Sequence, residues 1–158
     1  MNNRSILVVD DDAVIRLAFS QVFTAAGYAV QTAESAEEAL RIMSQGPVAI
    51  LFLDLNLPVM NGVELCRKVH QDWPCSITIA VTGCSSIFEL VKCREVGFED
   101  YFCKPAGPKE LVAAADAAVK KLERWKHRHE TSRSKAKAKG TPPPDTNVKK
   151  AKSYWEAV

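Results

Sequence analysis

Four carboxylates stand directly behind two apolar runs. Ile6-Leu7-Val8-Val9 is followed by Asp10-Asp11-Asp12, and Ala49-Ile50-Leu51-Phe52-Leu53 by Asp54. Carboxylate oxygens are hard ligands, and several converging on one spot suit a hard divalent cation. Two unit charges ~4 Å apart repel by about 4 kcal/mol at an effective dielectric near 20, so a shared pocket calls for positive charge. The chemistry predicted is Mg²⁺ binding, on condition that the two runs end side by side.

The elements that must meet this condition are legible in the pattern. Continuous apolar runs bounded by polar residues read as strands buried on both faces of a parallel sheet. In such sheets the ligand site lies beyond the carboxyl ends of the strands, where their order reverses. Ile15, Phe19, Val22 and Phe23 form a helical stripe closed by Gly27, and Tyr28-Ala29-Val30-Gln31-Thr32 reads as a short strand. Ser35 with Glu38 predicts a capping box opening a helix through Met43, ended by Gly46-Pro47. A turn-rich loop, Leu57 to Gly62, precedes a helix beginning over Val63 to Val69. Ile77 to Val81 is a further buried strand, Ile87 to Val96 a helix stopped by Gly97, and Tyr101-Phe102-Cys103 the last strand. Leu111, Val112, Ala115, Val119 and Leu122 mark a final helix. Five strand–helix alternations predict one doubly wound α/β domain with a five-stranded parallel sheet.

Four segments carry a resemblance. Val8-Val9-Asp10-Asp11, Leu53-Asp54-Leu55-Asn56-Leu57-Pro58-Val59-Met60-Asn61-Gly62, Val81-Thr82-Gly83 and Cys103-Lys104-Pro105 each fall at a strand end. In order and spacing, residues 4–124 resemble a response-regulator receiver domain, similar to the stand-alone receivers of chemotaxis. The resemblance implies a flavodoxin-like sheet of strand order 2-1-3-4-5. It implies that Asp54 accepts a phosphoryl group from a sensor histidine kinase or a phosphotransfer protein. Asp10, Asp11, Asp54 and the backbone carbonyl of Asn56 would hold Mg²⁺, Thr82 would hydrogen-bond the phosphoryl group, and Lys104 would pair with it. The Lys104-Pro105 bond is expected to be cis. Thr82 and Tyr101 would form the switch, altering the face of the fourth helix, fifth strand and fifth helix toward a downstream protein target. A carboxylate is a poor nucleophile, so positioning and charge neutralisation must supply the catalysis. Asp12, by contrast, is read as the cap of the first helix.

The chain also departs from the family pattern. Gly83 stands where alanine is more usual, which loosens the loop beside the phosphoryl site. Asn56 and Cys84, two residues beyond Asp54 and Thr82, occupy positions that tune autodephosphorylation in the family. A thiol there attracts no water as a Glu or Gln would, so a long-lived phosphoryl state is expected. Ala106-Gly107-Pro108 replaces the large apolar residue that usually follows the Lys-Pro pair, which leaves the shape of that loop open.

Five cysteines (Cys66, Cys75, Cys84, Cys93, Cys103) show no Cys-x-x-Cys pair, and no signal peptide or long apolar span occurs, so a cytoplasmic setting is expected. Most are read as small buried hydrophobes, with a redox role for Cys84 or Cys103 as the alternative. Charge divides sharply. Residues 120–158 hold 12 of the 21 Lys and Arg and 4 of the 19 Asp and Glu, a net of +8, which leaves −6 for residues 1–119. The division expected is a receiver over 1–124 and a basic tail over 125–158. Lys120 to about His129 extends the last helix, 131–152 reads as disordered, and no DNA-binding or catalytic output domain is expected.

The plain reading of the tail is a solvated extension. Its alternatives are an arm for nucleic acid, anionic lipid or an acidic partner, or one lying on the acidic receiver itself. His127 and His129 belong to its basic face. The expected function is a phosphorylation-switched regulator, monomeric or dimerising on phosphorylation, and no enzyme beyond its own phosphorylation and hydrolysis. The competing functions are a tail-driven binder of nucleic acid or an anionic surface, and a phosphate sink or relay.

Overall fold

The computed structural model describes residues 4–83 and 86–138. Strands β1 (Ser5–Val9), β2 (Ala29–Ala33), β3 (Ile50–Leu53), β4 (Ile77–Thr82) and β5 (Asp100–Cys103) alternate with helices α1 (Ala13–Ala25), α2 (Ala36–Gln45), α3 (Gly62–Asp72), α4 (Ile87–Val96) and α5 (Pro108–Ala138). All strand pairs are parallel, and the sheet runs β2-β1-β3-β4-β5. This is the expected flavodoxin-like order, with its reversal between β1 and β3.

Every residue of β3 and β4 is buried, because helices cover both faces of the sheet. Alternate side chains separate the core into two layers. Ile6, Val8, Ile50, Phe52, Ile79 and Val81 face α1 and α5, where Phe19, Phe23, Leu111 and Leu122 meet them. Leu7, Val9, Leu51, Leu53 and Ala80 face the other way, against Met43, Leu65, Val69 and Cys93.

Helix boundaries follow their caps. Asp12 accepts from the Val14 amide at 2.8 Å, and Asn61 and Ser86 open α3 and α4 with reciprocal capping boxes to Glu64 and Glu89. At α2 the box is only half formed. Ser35 Oγ accepts from the Glu38 amide at 3.2 Å, but Glu38 Oε2 accepts from the Glu34 amide at 2.9 Å, one residue earlier than the motif predicts. Gly97 closes α4 at φ 101°, a conformation that favours glycine.

The last helix differs from expectation. It continues to Ala138, through part of the stretch read from composition as disordered and well beyond His129. Lys, Arg, Ala and Glu are good helix formers, and an already nucleated helix propagates without a new nucleus. The remaining tail, 139–158, lies outside the described residues.

Candidate functional site

Register decides which strand ends meet. Val9 stands opposite both Ala33 and Leu53, and Leu53 opposite Ala80, so Asp10 and Asp54 emerge side by side. Thr82 stands opposite Cys103, which sets Lys104 one residue beyond the same edge. Backbone bonds continue the sheet just past the strands: Asp54 N donates to Val9 O at 2.9 Å, Asp10 N to Ala33 O at 3.1 Å, and Lys104 N to Thr82 O at 2.8 Å. The pocket is thus an extension of the sheet rather than a feature of free loops.

Carboxylate oxygens of Asp10, Asp11 and Asp54 lie within 4.8 Å of one another. Asp10 and Asp54 are buried, 3% and 6% exposed, whereas Asp11 faces solvent. Lys104 Nζ bridges the buried pair, 2.6 Å from Asp10 Oδ2 and 2.7 Å from Asp54 Oδ2. Burial pushes the Asp10 carboxyl above its ordinary value, against the hydrogen bonds from Lys104 and the Asp12 amide and the Lys104 charge. Burial also works against the Lys104 ammonium, but its bonds to Asp10 and Asp54 and their charges together outweigh it and raise its pKa. Three carboxylates against one ammonium leave a formal excess of two negative charges. All the donors are hard oxygens, so the residues fit a hard dication such as Mg²⁺. Asp12 faces solvent and caps α1, as expected.

Thr82 is fully buried, and its Oγ1 accepts from Asn56 Nδ2 at 3.3 Å. Asn56 N donates to Asp54 Oδ1 at 3.0 Å. The loop after β3 therefore links the acid to the hydroxyl through one residue. Tyr101 is half-buried against the layer holding Cys93 and Phe98. The Lys104-Pro105 bond is cis, as expected. Gly83 is exposed, with open space where a Cβ would stand, so packing does not require glycine there. Pro108 begins α5, and Gly107 N donates to Glu110 Oε2 at 3.3 Å, which gives the unusual loop a defined turn. Cys84 lies outside the described residues. Cys66 and Cys93 are buried and Cys75 half-buried, but Cys103 is exposed; these four are free thiols.

Two residues that sequence reasoning missed also shape the pocket. Arg16 Nη1 donates to the Asp10 carbonyl at 2.7 Å and holds the backbone that carries the acid. Its signal was being the lone charged residue of α1. Gly62 opens α3 so close to β3 that a Cβ would lie 2.2 Å from the Asp54 carbonyl oxygen and 2.9 Å from Leu55 Cα. Only glycine permits that approach.

The fold and the pocket agree with what comparison finds. The family model for the response regulator receiver domain matches residues 6–116. A receiver domain protein (CheY-like) from Methanospirillum hungatei JF-1 superposes with a TM-score of 0.74 at 31% identity, over 77% of this chain and 97% of its own. The BeF₃-activated receiver domain of DrrB gives 0.69 at 29% identity, over 73% and 97%. Among curated sequences, the probable transcriptional regulator ycf27 of Cyanidium caldarium is 30% identical over 118 residues, 75% of this chain and 47% of that protein. The chain spans about half the length of the curated relatives it matches. The chain belongs to the response-regulator receiver family of two-component signalling. Among the described residues, no helix is long and apolar enough to cross a membrane.

Proposed function

We propose that the chain is a phosphorylation-switched regulator in which Asp54 takes a phosphoryl group from a histidine kinase or phosphotransfer protein. The observation that carries this reading is the buried Asp54 carboxylate with Lys104 Nζ at 2.7 Å and the oxygens of Asp10 and Asp11 in the same cluster. Asp54 is the acceptor on this reading: it shares Lys104 with Asp10 and is held in place through the Asn56 amide. Lys104 then leaves the carboxylate pair for a phosphoryl oxygen, a move its long stem allows. Asp10, Asp11, Asp54 and the Asn56 carbonyl are the residues to hold Mg²⁺. Bound there, the ion would supply charge neutralisation for the transfer.

The added charge of about −1.5 to −2 gives the Thr82 hydroxyl proton a strong acceptor. Movement of Thr82 toward that acceptor shifts the bond it accepts from Asn56 Nδ2, with Tyr101 following on the α4 side. Output is by contact with a protein target. Beside the pocket, α1 exposes Val14 (74%) and Leu17 (60%), an apolar surface suited to a helical donor partner. On this reading the protein catalyses nothing beyond its own phosphorylation and hydrolysis, and it works in the cytoplasm.

Intact mass measurement after incubation with acetyl phosphate tests the proposal. An adduct in wild type with Mg²⁺, lost in Asp54→Ala and on metal removal, is expected. No adduct, or one retained in Asp54→Ala, removes Asp54 as acceptor. The decay time of the adduct separates a regulator from a phosphate sink.

A further inference from the structure

We propose that Arg16 is a positioning residue that makes the acid pocket select Mg²⁺ over Ca²⁺. The inference rests on the metal reading above and adds to it a residue outside the ligand set.

Each polar atom of Asp10 has a partner. Its amide donates to the Ala33 carbonyl at 3.1 Å, and its carbonyl accepts from Arg16 Nη1 at 2.7 Å. Oδ1 accepts from the Asp12 amide at 2.9 Å, and Oδ2 pairs with Lys104 Nζ at 2.6 Å. The bond from Asp12 closes a turn over Asp11, whose backbone direction is set by the same ties although its side chain faces solvent. When Lys104 turns to the phosphoryl group, the tie at Oδ2 is released and the others remain, Arg16 among them.

Arg16 reaches Asp10 because of its place one turn into α1. Side chains of a helix lean toward its N-terminus, so a long one at that position extends back over the end of β1. Its other terminal nitrogen lies 3.9 Å from Glu34 Oε2, a long contact to a carboxylate 72% exposed. Such a pair adds little, so the short bond to the Asp10 carbonyl is the grip.

A cation beside a metal site can act by charge or by position, and the two have opposite signs. By charge, Arg16 repels a dication, and its removal tightens binding. By position, its removal slackens the turn and weakens binding. The contacts favour position. Lys104 is the cation paired with the buried carboxylates, whereas the Arg16 bond falls on a backbone carbonyl. Slackening does not affect all ions alike. Mg²⁺ demands near-ideal octahedral geometry at about 2.0–2.1 Å, whereas Ca²⁺ accepts irregular sets of oxygens at about 2.3–2.6 Å. A clamped turn suits the first ion, and a loose one suits the second.

Amide NMR titrations of the full chain with Mg²⁺ and, separately, Ca²⁺ at constant ionic strength test this in wild type, Arg16→Met and Arg16→Lys. Arg16→Met keeps an apolar stem and loses both donor and charge. It should weaken Mg²⁺ binding by about tenfold or more, the low end for removing a partner of a ligand, and Ca²⁺ binding by about threefold at most. Arg16→Lys keeps the charge and a point donor in place of the fork. It should fall between the other two for Mg²⁺ and match wild type for Ca²⁺. Where Arg16→Met does not fold, a lower Mg²⁺ to Ca²⁺ ratio in Arg16→Lys carries the proposal, and an unchanged ratio overturns it. Equal losses for both cations give Arg16 a merely structural role and overturn it too. So does Mg²⁺ binding that is unchanged or tighter in Arg16→Met, the mark of a charge effect. No Mg²⁺ binding by wild type removes the metal site itself, and this proposal with it.

Discussion

The two faces of the sheet are built from different materials. Toward α1 and α5 the core is aromatic and continuous. Phe19 meets Phe23 edge-on at 6.2 Å, Phe23 meets Tyr28 at 6.1 Å, and Phe23 lies against Phe52 at 4.6 Å. Its polar edge is closed by Tyr28 Oη donating to Asp116 Oδ1 at 2.6 Å. Toward α3 and α4 the filling is smaller, and polar atoms enter it. Thr78, fully buried, bonds Cys66 Sγ at 3.2 Å and His70 Nε2 at 3.1 Å, and His70 Nδ1 lies 3.3 Å from the Val96 carbonyl. Helix α4 buries Cys93 and exposes Ile87, Leu90 and Val91. On the function proposed above, the acids must be held still while one surface changes, and we infer that the aromatic side is the rigid one and the α3–α4 side the responsive one.

The largest expected effect breaks the rigid side. Phe23 is fully buried and touches three other rings. Phe23→Ala should cost about 3–5 kcal/mol, measured by urea unfolding, because the cavity at the centre of interlocking rings cannot collapse. Native-state hydrogen exchange sharpens the comparison. In wild type, α4 amides should exchange through local openings and those of α1 and β3 only near the global limit; equal protection in α4 and α1 would deny the division.

This division was only partly legible in the sequence. The runs before Asp10 and Asp54 announced β1 and β3, and their meeting with Lys104 followed from strand order once the reversal was placed between them. The Asp12 cap was legible from local pattern, whereas the capping boxes of Asn61 and Ser86 were not read. The contacts made across chain distance were not legible. Gly62 read as one turn residue among several, and its role depends on how close α3 passes to the Asp54 carbonyl. The Asn56–Thr82 bond joins residues 26 apart, and Thr78 read as an ordinary member of a buried strand. Tail composition misled in one respect. Lys-Ala alternation cannot build a core, but it can prolong a helix that a core has already started, and α5 does so to Ala138.

A smaller effect concerns the polar inclusion on the responsive side. The Val96 carbonyl can only accept, so His70 Nδ1 carries the proton and Nε2 accepts from the Thr78 hydroxyl, which in turn accepts from the Cys66 thiol. Burial pushes that thiol up to about 11 and keeps the chain of donors intact. Burial lowers the His70 pKa below its ordinary 6.5, against the Val96 bond, which raises it. As pH falls, the unfolded chain therefore takes up the proton first. The contribution of His70 is whole above 6.5 and is lost as pH drops below it toward the folded-state value. Urea unfolding at pH 7.5 and pH 5.5 should show a larger loss for wild type than for His70→Gln. An identical loss would mean that the imidazole stays accessible and that α3 and α4 part without resistance.

The smallest effect lies in the loop that joins the pocket to the responsive side. Val59 is 97% exposed at φ 65°. A left-handed backbone costs an L-residue roughly 1–2 kcal/mol, and for a β-branched side chain it is rare. Nothing is gained by packing, since the side chain stands in solvent. The conformation is imposed from both ends, by the closing of β3 before it and by Asn61 and Gly62 seated on α3 and the Asp54 carbonyl after it. Asparagine visits this region readily, so Val59→Asn should raise stability by about 1 kcal/mol, or ~2–4 °C in Tm. Val59→Gly should gain less, because glycine also frees the unfolded chain. Phosphorylation kinetics decide what the strain is for. If Val59→Asn stabilises the fold and leaves the rate of Asp54 modification unchanged, the strain is a consequence of closing a tight loop. If the rate changes, the strained turn is part of how the acid is aimed, and the pocket depends on the responsive side as well as the rigid one.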